Sequence, residues 1–291
     1  MGRTAAPSRW TDLTELTKPG IIVWVLITVA AGFYLAAPDA LAGLTLFHTL
    51  LAATAVAAAS NALNQVLERD IDRLMDRTRH RPLAAGRMSP RLVAVLGAAL
   101  GIAGIVWFAA FTTPLTTVLG AATLVLYVLA YTPLKRRSSF ATLVGAVPGA
   151  LPILGGWAAT GRGLDPTAWA LFGLLFCWQL PHFLALAWIF REDYARAGLK
   201  MLSVTAGQAT TFRQALAYGT ALVPIGLIPA VTGNAGLAYV VGSLLLGGWV
   251  VFATVRAGRS GSTPHAWQLF SATVVYLPAM LGLLVVDRLI G

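Results

Sequence analysis

The sequence predicts an all-α polytopic membrane protein with nine transmembrane helices, and three observations predict it. Of its 291 residues, 57% are hydrophobic and only 11% are charged, whereas an average soluble domain carries about 25% charged residues. The mean hydropathy is +0.75. Nine stretches approach the ~20 apolar residues that a helix needs to cross a bilayer core: roughly residues 20–38, 44–66, 91–110, 114–132, 140–158, 166–190, 214–232, 235–254 and 267–288. With the first residue placed inside, the inner loops hold 19 of the 21 lysines and arginines, and only Arg162 and Arg288 fall outside. Positive charge gathers on the cytoplasmic side of membrane proteins, so this asymmetry sets the orientation and checks the count of segments.

The whole chain, 1–291, reads as one integral-membrane domain. Its first stretch, Met1–Gly20, is polar and lacks an early apolar region, so residues 1–19 read as a cytoplasmic lead-in rather than a cleaved signal. Gly2 is not followed by Ser or Thr at position 6, which argues against myristoylation. Turn signals separate the hydrophobic segments at Ala37-Pro38-Asp39, Thr113-Pro114 and Thr232-Gly233-Asn234. Two inner loops, 67–90 and 191–213, are longer and richer in chemistry than the rest. They stand four segments apart, each after an outside-to-inside helix, without strong self-similarity. The single cysteine, Cys177, lies within a segment, so it makes no intramolecular disulfide and reads as a small core residue. The net charge of +10 does not point to nucleic acid. The cations sit in loops facing an anionic membrane surface, in a bacterial-type cytoplasmic membrane with the C-terminus outside.

The most informative stretch is Asn64–Leu83, which packs four carboxylates and five arginines into 20 residues at the edge of an apolar segment. Charge in that position is costly and usually functional. Asn64, Glu68, Asp72 and Asp76 recur every fourth residue, and Arg69, Arg73, Arg77 and Arg81 follow one residue later. At helical spacing these form an acidic and a basic stripe. A helix carrying them is expected to end near Arg81, because Pro82 disfavours helical geometry in the residue before it. Like charges along the acidic stripe repel, and a divalent metal would relieve them. Magnesium takes oxygen ligands, typically carboxylates together with substrate phosphates. Asn64, Glu68 and Asp72 are therefore candidate metal ligands, and Arg77 and Arg81 candidate phosphate grips. Asp70, Asp76 and Arg73 read equally well as solvated charges paired at i,i+3.

Three further constellations carry chemistry. Phe190-Arg191-Glu192-Asp193-Tyr194 ends the sixth segment. Glu192 and Asp193 offer a second metal site there, or an interfacial salt bridge; both can face one metal only if the helix ends at that point, since neighbours diverge on a helix. Tyr131-Thr132-Pro133-Leu134-Lys135-Arg136-Arg137 is a positive anchor, and Lys135 or Arg136 could also bind diphosphate. His182, after Pro181 inside the sixth segment, is an intramembrane ionisable residue and so a functional candidate for proton transfer or porphyrin contact; the alternative is a histidine bonded within the bundle. Pro181 is expected to kink its helix.

At these residues the chain resembles the UbiA superfamily of intramembrane prenyltransferases, and within it the haem-modifying branch. The superfamily's first motif, N-D-x-x-D-x-x-x-D, is matched here by Asn64-Gln65-x-x-Glu68-x-x-x-Asp72. Gln65 and Glu68 replace two aspartates, and Arg77-Thr78-x-x-Arg81-Pro82-Leu83 follows, as in the haem rather than the quinone branch. Leu16-Thr17-Lys18-Pro19, Tyr131 to Arg136, Pro181-His182-Phe183 and Arg191-Glu192-Asp193-Tyr194 complete the resemblance. Phe190 and Tyr194 occupy the places of the second motif's aspartates, so Glu192 and Asp193 would carry any metal role there. The resemblance implies nine helices around a central cavity. It implies transfer of a farnesyl group from farnesyl diphosphate to a vinyl group of haem B, with addition of water, giving haem O. Mg2+ would be the cofactor, with haem B a substrate. Asn64, Glu68, Asp72, Glu192 and Asp193 would be the catalytic and metal-binding set. Arg69, Arg77, Arg81, Tyr131, Lys135, Arg136, His182, Arg191 and Tyr194 would contact the substrates. The lipid bilayer and a downstream haem-modifying membrane enzyme would be partners. An alternative within the superfamily is prenylation of an aromatic quinone precursor. A transporter would place its site near the midplane rather than at one edge, and a non-catalytic haem-binding protein would not need an acidic stripe.

Overall fold

A computed structural model of the chain describes residues 8–37 and 43–290. Gly2, Arg3 and most of the turn signal at Ala37-Pro38-Asp39 lie outside them. Among the described residues the structure is entirely helical, and nine helices are long and apolar enough to cross a membrane. A short helix α1 (Arg9–Thr17) leads into α2 (Pro19–Ala36), α3 (Gly43–Asp72), α4 (Pro90–Phe111) and α5 (Pro114–Val125). The fourth span continues through a π-helical stretch, Leu126–Tyr131, into α6 (Thr132–Leu134). Then come α7 (Ala141–Ala159), α8 (Pro166–Ile189), the short α9 (Arg191–Arg196) and α10 (Leu202–Thr205), and finally α11 (Gly207–Val231), α12 (Leu237–Ser260) and α13 (Thr263–Ile290).

Start signals explain most of these boundaries. Proline opens α2, α4, α5 and α8 at their first positions, where its missing N–H costs nothing. Thr113 and Asp165 cap α5 and α8 by accepting from the N–H groups of Thr116 and Ala168. Gly233 and Gly261 turn the chain at positive φ of 76° and 62°. One expectation needs correction. The seventh span begins at Gly207 rather than near 214, so Arg213 belongs to a helix and not to the preceding loop. Helix α8 contains Pro181 and continues past it to Ile189. In a tight bundle, neighbouring helices hold a proline-bearing helix together where an isolated one would break.

The helices pack mostly in sequence order. Helices α2, α3, α4 and α5 form one half and α11, α12 and α13 the other, with α7 and α8 wedged between them. Consequently α7 and α8 are the most enclosed of the spans. Lipid tails are as apolar as leucine, so close helix contact must come from shape rather than from hydrophobicity. Helices α2 and α7 achieve this through paired glycines. A Cβ on Gly156 would stand 1.9 Å from the Val29 carbonyl oxygen, and one on Gly32 would stand 2.1 Å from that of Ile153. Gly156→Ala is therefore expected to lower stability by at least about 2 kcal/mol. The adjacent Gly155→Ala, with nothing within 4 Å, should be near neutral. Thermal unfolding of the two purified variants in detergent checks this; equal midpoints would show that the crossing is not the constraint.

Candidate functional site

The charged end of the bundle is built around the last turns of α3. Asn61 and Gln65 lie one turn apart there and are buried. Asn61 Nδ2 donates to the Thr17 carbonyl at 2.9 Å, and Gln65 Nε2 donates to the carbonyls of Glu15 and Leu16 at 2.9 and 3.1 Å. These bonds hold the joint between α1 and α2, where Lys18 adopts left-handed geometry with φ of 54°. A non-glycine residue there costs about 1 kcal/mol or more, and the side-chain clamps offset it. Gln65 thus acts as a structural tie.

Further along the same helix, Asn64, Glu68 and Asp72 are all buried. Glu68 Oε1 accepts from Lys135 Nζ at 2.8 Å. Both oxygens of Asp72 accept from Arg81 Nη1, at 2.9 and 2.8 Å. Asn64 Nδ2 donates to Thr132 Oγ1 at 3.1 Å, which leaves its carbonyl oxygen as a further donor to a cation. Thr132 in turn donates to the Tyr127 carbonyl across the π-helical turn. That wider turn has a local cause. Pro133 supplies no N–H, and its ring would crowd the carbonyl four residues back; such π-bulges recur at functional sites. The turn places the Lys135 ammonium 4.4 Å from the centre of the Tyr131 ring. Burial would by itself push this ammonium down, but the adjacent Glu68 carboxylate holds it well above its ordinary value.

Helix α3 ends at Asp72, not near Arg81. The acidic and basic stripes therefore stop there. The chain turns with i→i−3 bonds from Leu74 to Ile71 and from Met75 to Asp72, while Thr78 Oγ1 donates to the Asp72 carbonyl. Turning back lets Arg81 reach Asp72, which an extended helix would have kept two turns away. Arg87 pins the returning loop by pairing with Asp12 at 2.8 Å and Glu15 at 3.1 Å.

The second charged segment meets the first. Helix α8 ends at Ile189 and α9 starts anew at Arg191. Arg196 bridges Asp76 and Asp193, and the Arg77 N–H approaches Asp193 at 3.5 Å. Tyr194 packs with Ile71, Met75 and Leu199. Other expected site residues lie elsewhere. Arg69 pairs with its neighbour Asp70. Glu192 is 84% exposed and pairs with Arg191, while Arg191 stacks over Trp188. Among the described residues no three His, Cys, Asp or Glu side chains converge, so Glu192 and Asp193 form no joint cluster with Glu68 and Asp72. Arg77 is exposed above the Phe190 ring. Arg136 lines a pocket of about 380 Å³ beside Glu68, together with Leu67, Ile71, Thr132, Pro133 and Arg137. His182 sits farther along α8, bonded to Thr273.

Lys18 lies within Leu16-Thr17-Lys18-Pro19, and nothing in its spacing sets it apart. In the structure it is half-buried at the charged cluster. Burial, followed by repulsion from Arg81 and Lys135, lowers its ammonium to about 7, against the pull of Glu68 and Asp72. Lysine, rather than glycine, at a left-handed joint leaves no signal in spacing; only its place before Pro19 marks it.

Lys18, Arg81 and Lys135 outnumber the two carboxylates they surround, at the mouth of an apolar bundle. This suits a substrate with a polyanionic head and a hydrocarbon tail, the kind handled by an intramembrane prenyltransferase. The chain belongs to the UbiA prenyltransferase family, whose profile matches residues 25–280. Among its relatives, a protoheme IX farnesyltransferase of Solibacter usitatus is 41% identical over 287 residues, covering 95% of this chain and 98% of the relative. That of Myxococcus xanthus is 40% identical, covering 97% and 96%. The fold is similar to that of a digeranylgeranylglyceryl phosphate synthase (TM-score 0.82, 15% identity, 97% and 99% covered). It is also similar to a UbiA homologue from Archaeoglobus fulgidus bound to DMAPP and Mg2+ (TM-score 0.65, 16% identity, 92% and 99% covered).

Two outcomes test this geometry. Lys135→Met leaves Glu68 buried without its nearest cation and should lower stability by about 3 kcal/mol. Adding Glu68→Met should restore most of that loss in thermal unfolding; equal losses would show the pair to be uncoupled. Lys18 carries its charge below pH 7 and sheds it above. Pyrophosphate affinity, relative to the permanently charged Lys18→Arg, should thus fall by up to about tenfold from pH 6 to pH 8. A flat ratio in a binding titration would place Lys18 away from the anion.

Proposed function

We infer that the protein transfers the farnesyl group of farnesyl diphosphate to a vinyl group of haem B, with addition of water, giving haem O. The observation that carries this reading is the identity of about 40% to protoheme IX farnesyltransferases over nearly the whole chain. These relatives favour haem over an aromatic quinone precursor.

The site's chemistry suits the reaction. Lys18, Arg81 and Lys135, with Arg77 and Arg136 at the rim, attract and orient the diphosphate. Glu68, Asp72 and the Asn64 amide oxygen are hard oxygen donors, the kind magnesium takes, and would hold Mg2+. When bound, Mg2+ neutralises charge that develops on the departing diphosphate. The carbon–oxygen bond of the substrate breaks, pyrophosphate keeps the electron pair, and the farnesyl unit becomes an allylic cation. The vinyl group supplies the electron pair for the new carbon–carbon bond. Water then adds to the resulting cation beside the porphyrin and releases a proton. The surrounding apolar helices keep water from the allylic cation until that bond has formed.

The positive-inside pattern supports a cytoplasmic N-terminus and cytoplasmic site loops, with the C-terminus outside, in a bacterial-type cytoplasmic membrane. The product is greasy and membrane-bound, which fits hand-over to a downstream haem-modifying membrane enzyme. Purified protein incubated with haem B, farnesyl diphosphate and Mg2+ should give haem a hydroxyfarnesyl mass increment, and EDTA should prevent it. Glu68→Gln and Asp72→Asn should each slow turnover by about a hundredfold or more. Unchanged turnover in both would remove these carboxylates from the metal.

A further inference from the structure

A second pocket, of about 310 Å³, lies between α7, α8 and α11 and shares no residue with the pocket beside Glu68. Helices α7 and α11 both begin at it. Thr142 belongs to the first turn of α7 and Thr210 to the first turn of α11, and both line the pocket. Two helix N-termini, each with unpaired N–H groups and a positive dipole end, therefore meet at one space. Arg213 stands one turn farther along α11, exposed at the rim. Among the described residues it forms no ion pair, and no acidic side chain lines the pocket. Thr142 points more sharply to a ligand. It is 7% exposed, and its hydroxyl is buried without a hydrogen-bond partner among the described residues. A helical threonine ordinarily returns its hydroxyl to a carbonyl one turn back, as Thr49, Thr117 and Thr254 do. A buried hydroxyl that does not is costly unless something else bonds it.

The deeper wall is hydrocarbon. It includes Leu143 of α7 and Leu180 and Leu184 of α8, the last two about 14 and 8 Å before the end of their helix at helical rise. Such a pocket suits a ligand with a negative head at the charged end of the bundle and an alkyl chain running inward along α8. One cation balances one negative charge, which is the charge of a phosphodiester. A prenyl diphosphate carries more, and matches the cluster of Lys18, Arg81 and Lys135 instead. We propose that this pocket holds an anionic phospholipid, with its phosphate bonded by Thr142 and Arg213 and the start of an acyl chain against Leu180 and Leu184. Basic pockets between transmembrane helices are recurrent seats for anionic headgroups. The ligand also bears on the turn that carries Lys135. Ser139, four residues past Lys135, lines the pocket, as does Leu202. Just before Leu202, the Lys200 N–H donates to the Lys135 carbonyl at 3.1 Å. A bound lipid therefore braces the turn that holds Lys135 against Glu68. This site goes beyond farnesyl transfer and is independent of which acceptor is prenylated.

The test titrates full-length protein in an uncharged detergent with dioleoylphosphatidylglycerol, dioleoylphosphatidylcholine or inorganic phosphate. It follows the thermal midpoint and the lipid retained in native mass spectrometry. Wild type should hold phosphatidylglycerol about fivefold or more tighter than phosphatidylcholine, the worth of one cation at an anionic headgroup. Its midpoint should rise with the former. Arg213→Gln should bring the two lipids within about twofold, whereas Arg256→Gln, the same charge change on α12, should leave the preference intact. Thr142→Val should be at least as stable as wild type without lipid, yet bind phosphatidylglycerol about threefold more weakly. No preference in wild type, equal losses in Arg213→Gln and Arg256→Gln, or unchanged binding in Thr142→Val would overturn the proposal. Inorganic phosphate that raises the midpoint as far as phosphatidylglycerol does would make this a site for the free ion and overturn the lipid assignment. Displacement of the lipid by farnesyl diphosphate without Mg2+ would make it a second seat for the substrate, with the same consequence.

Discussion

Two buried ion pairs, Glu68 with Lys135 and Asp72 with Arg81, hold the charged end of this bundle together. Each ties the end of α3 to another segment: the turn after the fourth span, 67 residues on, in one case, and the returning loop, nine residues on, in the other. A buried charge without its partner is costly, so neither segment can drift. The same pairs keep acidic oxygens and cations side by side at a place where lipid would otherwise exclude both. The structure of this end of the bundle therefore depends on one set of charges, the same set that the proposed function uses.

The rest of the architecture serves that cluster. Asn61 and Gln65 set the bend that delivers Lys18. The π-helical turn before Pro133 delivers Lys135 and Thr132. The Arg87 clamp on Asp12 and Glu15 closes the loop that delivers Arg81. On the opposite flank, α8 and α13 are joined at Thr273, which fixes the imidazole of His182. The farnesyl-transfer reading divides the labour accordingly: cations at the rim for the diphosphate and apolar helices for the prenyl chain.

Much of this was legible in the chain. Hydropathy and the placement of arginine gave nine spans because a bilayer allows few ways of satisfying the backbone. Asn64, Glu68 and Asp72 could be read as one face because helical periodicity is local. The two charged loops, singled out for their length, composition and matching places, do meet, through Arg196, Asp76 and Asp193. Less legible was what happens after Asp72. Four-residue spacing suggested that the stripes continued, but the chain turns there, because a folded-back Arg81 can neutralise Asp72. Glu192 and Arg69 each pair with an adjacent residue, Arg191 and Asp70, a local contact that motif spacing does not show.

The sequence by itself determined the helical membrane architecture, the gathering of charge between particular spans and the one-face spacing of the carboxylates of the first motif. These follow from composition and periodicity, which act over a few turns at most. Only the tertiary structure decided which cation meets which carboxylate, that Lys18 joins them, and that the Gln65 amide nitrogen braces the joint between α1 and α2. It alone decided that His182 is bonded to Thr273. Such features depend on contacts between residues from nine to 91 positions apart, and they exist only once the chain has folded back and the helices have packed.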